Sequence, residues 1–143
     1  MTSDDDRVRL ALSEQRAGDC VLDGAWWPRT RHPLIELPLL MAELVAVIGE
    51  VERVSLGGAG WFTTPRAVPF DRNRVDICWF NPHDPHEVEI VAKNDFVLDL
   101  LLIPPAVAPI AARAAMAAAS RGTSAARGSE VLARHGVIPG GPG

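Results

Sequence analysis

The sequence predicts a single α+β domain, with an antiparallel sheet of about five to six strands and two main helices. Its 143 residues are close to the usual size of one domain and leave no room for a second full core. The predicted elements are a strand, a helix, several further strands joined by hairpins, and a second helix. That order is typical of an α+β domain with helices packed on an antiparallel sheet.

The first strand, a turn and a short extended segment are predicted before the first helix. Residues 7–14 alternate between apolar and polar side chains, which is typical of a strand with one buried face. Asp23-Gly24 predicts a turn. The segment that follows is expected to be extended, because Trp27 precedes a proline and is disfavoured in a helix.

The first helix is predicted from one apolar stripe at three- and four-residue spacing. The stripe consists of Leu37, Leu40, Met41, Leu44, Val45 and Ile48. Either the helix begins at Pro38, or it begins at Pro33 and Pro38 kinks it. Gly49 is the expected end of the helix, and residues 51–56 form the next predicted strand.

Two hairpins and the second helix are predicted in the rest of the chain. The first hairpin pairs residues 67–70 with 75–80, and the second pairs 88–92 with 96–103. The last of these strands is almost wholly apolar, so we expect it in the centre of the sheet. The second helix is alanine-rich and runs from Val107 or Pro109 to Ser120.

The predicted domain covers residues 7–121, and the segments outside it are expected to be tails or linkers. Residues 1–6 form an acidic disordered tail, residues 122–135 a linker and short helix, and residues 136–143 a disordered tail. Ser129 is the candidate cap of the short helix, which would end by Gly136.

Composition argues against several classes of function. The net charge is −4 and the pI about 5.5, whereas nucleic-acid binders carry an excess of basic residues. No apolar run reaches the roughly 18–20 residues of a membrane span, and Asp4–Asp6 do not resemble a signal peptide. Cys20 and Cys78 form no C-x-x-C pair, and we expect reduced thiols in a cytoplasmic protein.

The densest cluster of candidate binding residues contains Asp23, Trp26, Trp27 and Arg29. Neighbouring side chains in an extended chain point to opposite faces, so one indole could anchor the core while the other lines a surface groove. Arg29 or Arg31 would then stack on the exposed ring. The alternative is that both indoles are core anchors and Asp23-Gly24 is only a turn.

A second cluster lies in the loop that contains Asp84 and His86. Its spacing matches no known metal motif, so we predict neither a metal nor another cofactor. The alternative is a rigid turn in which Asp84 accepts hydrogen bonds from nearby backbone amides. Asp99 lies within an apolar strand, and it is either a functional acid, an exposed residue or the partner of a cation such as Arg113.

The chain carries no nucleophile motif, so nothing in the sequence demands an enzyme. We therefore predict a binding or regulatory module that self-associates, with Asp23, Trp26, Trp27, Arg29, Asp84 and His86 as candidate binding residues. Self-association is suggested by the alanine-rich helix, which needs burial on more than one side. The alternative is a small-molecule-binding domain or weak hydrolase, with a cleft lined by Asp84, His86 and Asp99.

Three motifs stand out, namely LDGAWWPR at residues 22–29, WF followed by DPH within residues 79–86, and LDLLLIPP at residues 98–105. Together they resemble an actinobacterial family of unknown function, DUF5994. The resemblance extends over roughly residues 8 to 135. It implies a small cytoplasmic protein, with no assigned activity, cofactor or catalytic residue.

Overall fold

The computed structural model describes residues 8–13, 21–81, 83–121 and 126–137. In this part of the chain, seven strands form one sheet in the order β1-β2-β7-β6-β3-β5-β4. The strands are β1 (Leu10–Leu12), β2 (Gly24–Trp26), β3 (Val51–Leu56), β4 (Ala67–Phe70), β5 (Asn73–Cys78), β6 (Glu87–Ala92) and β7 (Val97–Leu102). The helices are α1 (Pro33–Ile48), α2 (Pro109–Ser120) and α3 (Gly128–Arg134). The predicted α+β class is confirmed.

The prediction of a purely antiparallel sheet with five to six strands is wrong. Strand β2 runs parallel to β7, and β3 runs parallel to β5, so the seven-stranded sheet is mixed. Parallel neighbours require a long connection. Here α1 and several strands separate β2 from β7, and a loop followed by β4 separates β3 from β5. Alternating side chains identify strands but do not indicate which strands become neighbours.

Helix α1 covers one face of the sheet and forms the larger core. It begins at Pro33, contains Pro38 and is followed by Gly49, whose φ of 83° favours glycine. The buried side of α1 contains Leu37, Leu40, Met41, Leu44 and Ile48, which confirms most of the predicted stripe. Val45 is the exception, because 38% of its surface stays exposed.

Helices α2 and α3 pack on the opposite face and form a second core. Strand β7 separates the two cores, because Leu100 and Leu102 belong to the α1 core and Leu101 belongs to the second core. Helix α2 contributes alanines to the second core, and α3 contributes Val131 and Leu132. The protein therefore has three layers, with a helix layer on each face of the sheet.

Gly24 explains why the short strands β1 and β2 can pair closely. A Cβ atom at this position would lie 2.0 Å from the carbonyl oxygen of Ala11. Gly24 also lies opposite Leu12 on one side and Leu100 on the other. Only a residue without a side chain fits between these strands, so Gly24 serves the sheet and not a turn.

Several other predictions concern chain segments near the termini. The expected tail 1–6, Cys20, residues 122–125 of the linker and residues 138–143 lie outside the described residues. Cys78 is free and exposed. Among the described helices, none combines the length and apolar character that crossing a membrane requires.

Candidate functional site

Trp26 is a core residue that begins a row of three indoles. It is 1% exposed and lies in the α1 core. Its ring stacks on that of Trp61 with 6.0 Å between centroids, and Trp61 lies at the same distance from Trp79. The Nε1 atom of Trp79 donates a hydrogen bond to the carbonyl oxygen of Pro65 at 2.6 Å. The row therefore fixes the 57–66 loop against the sheet.

Trp27 lies on the other face of the sheet, in the second core, and is 4% exposed. The guanidinium of Arg9 lies over its ring, 3.5 Å from the centroid. Arg9 also donates hydrogen bonds to the carbonyl oxygens of Trp27 and Pro28, both at 2.9 Å. The stacked arginine is thus Arg9, and not Arg29 or Arg31 as the sequence suggested. Both indoles are buried, so neither presents a ring to a partner in this conformation.

Asp23 connects β2 with β7 and is also buried. Its Oδ2 atom accepts a hydrogen bond from the backbone N–H of Asp99 at 2.8 Å, and its own N–H donates to the carbonyl oxygen of Asp99 at 2.7 Å. Such a bond to a carboxylate is stronger than one between neutral groups. Asp23 therefore helps to hold β2 beside β7.

Arg29 lies in the loop before α1, and a buried glutamate organises this loop. Oε1 of Glu36 accepts a hydrogen bond from the N–H of Arg29 at 3.3 Å, and its Oε2 accepts one from the hydroxyl of Thr30 at 2.8 Å. Glu36 lies in the first turn of α1, where a negative charge is favoured by the helix dipole. Glu36 is not among the residues that the sequence motifs indicated.

The loop that contains Asp84 and His86 supports the N-terminus of α3. Oδ1 of Asp84 accepts hydrogen bonds from the hydroxyl of Ser129 at 2.7 Å and from the N–H of His86 at 2.8 Å. Its Oδ2 accepts one from the N–H of Ser129 at 3.0 Å. The N-terminus of α3 is therefore capped by the distant carboxylate of Asp84. Ser129 lies within the helix and donates to that carboxylate, instead of acting as the cap. Both carboxylate oxygens of Asp84 are already occupied.

Glu87 is the second carboxylate at this helix terminus and is fully buried. It accepts a hydrogen bond from the N–H of Gly128 at 2.7 Å and forms a salt bridge with Arg127. Burial raises the pKa of Glu87, while these two donors act in the opposite direction. A Cβ atom on Gly128 would lie 2.6 Å from the carbonyl oxygen of His86, so only glycine permits this approach. Burial also lowers the pKa of His86, and the carboxylate of Asp84 partly offsets this effect.

Asp99 belongs to a group of carboxylates on the same face of the sheet as α2. It lies directly opposite Glu89 across the β6–β7 pair, and Asp23 is bonded to its backbone. The Oδ1 atom of Asp99 is buried without a hydrogen-bond partner among the described residues. Burial is the main cause that raises the pKa of Asp99 to about 6, and repulsion from Glu89, Asp23 and Glu87 adds to it. Of the three alternatives for Asp99, pairing with Arg113 is not found among the described residues, and Arg113 is exposed on α2.

The predicted site residues therefore lie in separate parts of the fold. Asp84 helps to hold α3, Asp23 joins β2 to β7, the two indoles lie in opposite cores, and Arg29 lies in the loop before α1. Within the described ranges, no group of three or more His, Cys, Asp or Glu side chains is arranged to hold a metal ion. The hydrogen bonds of Asp84 and Asp23 stabilise tertiary contacts, and Asp99 supplies a carboxyl group with a raised pKa.

The outer surface of α1 lies outside the predicted site and is largely apolar. We define the outer ridge as Ile35, Leu39, Ala42 and Ala46, all of which are exposed. Their 4-3-4 spacing places them opposite the buried Leu37, Met41, Leu44 and Ile48. Ile35 is 53% exposed and Leu39 is 50% exposed. The signal was present in the sequence, since the only charged residues of α1 are Glu36, which is buried, and Glu43.

Phe62 adds an aromatic ring at the N-terminal end of α1. Its ring is 65% exposed and packs edge-on against His32, with 4.8 Å between centroids. The N–H of Phe62 donates a hydrogen bond to the carbonyl oxygen of Arg31 at 2.9 Å. Arg31 in turn donates to the carbonyl oxygen of Gly60 at 3.0 Å. These contacts hold Phe62 beside the start of the helix.

Comparison with known proteins assigns the chain to a family. Searches of curated proteins and of solved structures found no significant match. A family model described as a family of unknown function, DUF5994, matches residues 7–119. This range spans the sheet, α1 and nearly all of α2. The protein therefore belongs to the DUF5994 family.

Proposed function

We propose that this protein is a non-enzymatic binding module whose partner docks on the outer ridge of α1. The observation that carries the proposal is the exposure of Ile35 and Leu39 on a helix whose buried side already forms the core. A helix on the surface of a soluble protein normally presents polar residues to water. An apolar outward side is instead typical of a helix that becomes covered.

The energetics of this surface favour docking. Ile35 and Leu39 are each about half exposed, so covering the rest of either side chain contributes about 1 kcal/mol. Leu34, at 54% exposure, and Val47, at 58%, flank the ridge on its two sides, and Phe62 lies at its N-terminal end. Apolar and aromatic groups in one patch are characteristic of protein-binding surfaces.

Two of the residues predicted from the sequence, Trp26 and Arg29, support this surface without forming part of it. Trp26 packs in the core beneath α1, and the loop that contains Arg29 is anchored to Glu36 of the same helix. Direct contact between a partner and Asp23, Trp26, Trp27, Arg29, Asp84 or His86 stays a prediction. So do a cytoplasmic location and the absence of nucleic-acid binding, which rest on composition.

The alternative function, a small-molecule-binding domain or weak hydrolase, has less support. It needs Asp84 as a free acid or base, but both oxygens of that carboxylate accept hydrogen bonds from residues 86 and 129. Asp99, with its raised pKa, is the residue that favours this function. A thermal-shift screen of metals and metabolites that gave stabilisation in the wild type and not in Asp99→Asn would support the alternative.

The proposal is tested by two matched glutamate substitutions. Leu39→Glu places a charge on the outer ridge, and Ile110→Glu places the same charge at an 87% exposed position on α2. A partner is captured from the native host with the wild type, identified, and measured again with purified components. We expect Ile110→Glu to retain binding and Leu39→Glu to weaken it by at least about tenfold. Equal binding by all three proteins would contradict the proposal.

A further inference from the structure

We infer that the partner of the outer ridge is a second copy of this chain, bound with the two α1 helices antiparallel. This inference rests on the proposed function, because it names the occupant of the same surface. It is argued from two properties of α1, namely the order of large and small side chains along the ridge and the charges at its ends.

The ridge is complementary in shape to its own reverse. From the N-terminus, it presents two large side chains, Ile35 and Leu39, followed by two small ones, Ala42 and Ala46. In an antiparallel pair, a two-fold axis between residues 39 and 42 sets Leu39 against Ala42 of the second copy. The same axis sets Ile35 against Ala46. In a parallel pair, large residues would meet large ones and the alanines would face each other across a gap.

The spacing of the ridge suits packing between two helices. Its 4-3-4 pattern is the spacing of a seam in which side chains of one helix fit between those of another. Each alanine leaves room for the large side chain that faces it from the second copy. Helix dipoles also favour an antiparallel arrangement, because each positive end lies beside a negative one.

The charges at the ends of α1 are complementary under the same symmetry. Arg31 and His32 precede the helix, and Glu50 follows it. The axis that pairs residue 39 with residue 42 also brings residue 31 near residue 50 of the second copy. Arg31 and Glu50 already make contacts within the chain, with Gly60 and Lys93. At the edge of an interface they add orientation more than affinity.

The size of the surface sets the strength of association that we expect. A stable interface buries about 800 Å² on each partner, whereas a helix of 16 residues is only about 24 Å long. The ridge with its flanking side chains and Phe62 therefore belongs to the smaller class of interfaces. We expect a monomer–dimer equilibrium that favours the dimer at high micromolar concentration.

Sedimentation velocity over a range of concentrations tests the pairing. We expect a wild-type dimer, a loss of affinity of at least about a hundredfold in Leu39→Glu, and no change in the control Ile110→Glu. A wild type that stays monomeric at high micromolar concentration would overturn the inference. So would dissociation by Ile110→Glu, which would place the interface on α2. Circular dichroism confirms that each variant is folded.

A size swap tests the antiparallel register. Ala42→Leu places two leucines against each other at the axis, so it should weaken the dimer by about tenfold. Adding Leu39→Ala restores the large-against-small arrangement and should restore most of the affinity. Both residues are exposed and both exchanges keep strong helix formers. A dimer that Ala42→Leu leaves unchanged would overturn the register.

The two proposals fail in distinguishable ways. A monomeric wild type that still binds another protein, with binding lost in Leu39→Glu, would disprove self-pairing and retain the docking surface. A Leu39→Glu variant that behaves as the wild type in both assays would disprove both.

Discussion

Replacing Asp99 by asparagine is expected to stabilise the protein near neutral pH. The Asp99 carboxylate lies opposite Glu89 and close to Asp23, and its Oδ1 atom is buried without a hydrogen-bond partner among the described residues. Asparagine has nearly the same size, removes the charge, and adds an N–H₂ group that can donate to a neighbouring carboxylate. The substitution therefore removes repulsion without opening a cavity.

The expected change in the free energy of unfolding follows from the pKa of Asp99. Burial and the neighbouring carboxylates raise this pKa from 3.8 to about 6. Between these two values, the unfolded chain loses the proton while the folded chain keeps it. The free energy of unfolding therefore falls as pH rises from about 4 to about 6, and stays lower above that range. At about 1.4 kcal/mol for each pKa unit the shift corresponds to about 3 kcal/mol, but Asp99 is only partly buried, so screening by solvent reduces the expected penalty at pH 7 to about 1–2 kcal/mol.

The assay is denaturant unfolding of the wild type and Asp99→Asn between about pH 4 and pH 8. We expect the two proteins to be similar in stability at the acid end. Above about pH 6, Asp99→Asn should be more stable by about 1–2 kcal/mol. Asp76→Asn is the matched control, since Asp76 is exposed on β5 and its replacement should change stability by less than about 0.5 kcal/mol.

Two results would refute this reasoning. If Asp99→Asn were no more stable than the wild type at neutral pH, the Asp99 carboxylate would not be destabilised by its surroundings. If the gain in the free energy of unfolding were the same at every pH, it would arise from packing or hydrogen bonding and not from the ionisation of Asp99.

Three further substitutions test the structural roles assigned above. Trp27→Ala should lower the free energy of unfolding by about 3–5 kcal/mol, because it empties part of the second core. A loss below about 1 kcal/mol in chemical denaturation would contradict that role. Asp84→Ala should cost about 1–2 kcal/mol and expose the amides of α3 in hydrogen exchange, and unchanged exchange at Ser129 would disprove the capping. Gly24→Ala should cost at least about 2 kcal/mol in thermal unfolding, whereas Gly58→Ala, where a Cβ meets its nearest atom at 3.5 Å, should be tolerated.

Much of the local structure could be predicted because it depends on neighbouring residues. Strand β3 matches the predicted residues 51–56, and α1 ends at Ile48, directly before the expected stop at Gly49. Pro38 shows where local rules left a choice, since the helix begins at Pro33 and continues through Pro38. Helix α2 begins at Pro109 and ends at Ser120, which is one of the two predicted ranges.

The candidate site was less accessible to sequence reasoning because its contacts join distant segments. Ser129 was identified as a local cap, but its partner Asp84 lies 45 positions away. Asp23 was assigned to a turn or a binding cluster, yet it bonds to Asp99 across 76 positions. The pattern of side chains within a single helix or strand does not indicate which distant residues form hydrogen bonds with each other.

The order of side chains along the chain is enough to predict α1 with its buried side, most of the strands and the family. It does not show that Gly24 lies in strand β2, that β2 pairs with β7 in parallel, or that both indoles of Trp26-Trp27 are buried. Nor does it show that Ile35 and Leu39 stay exposed on the other side of α1. Burial depends on which elements meet in space, and those meetings are set by contacts between distant parts of the chain.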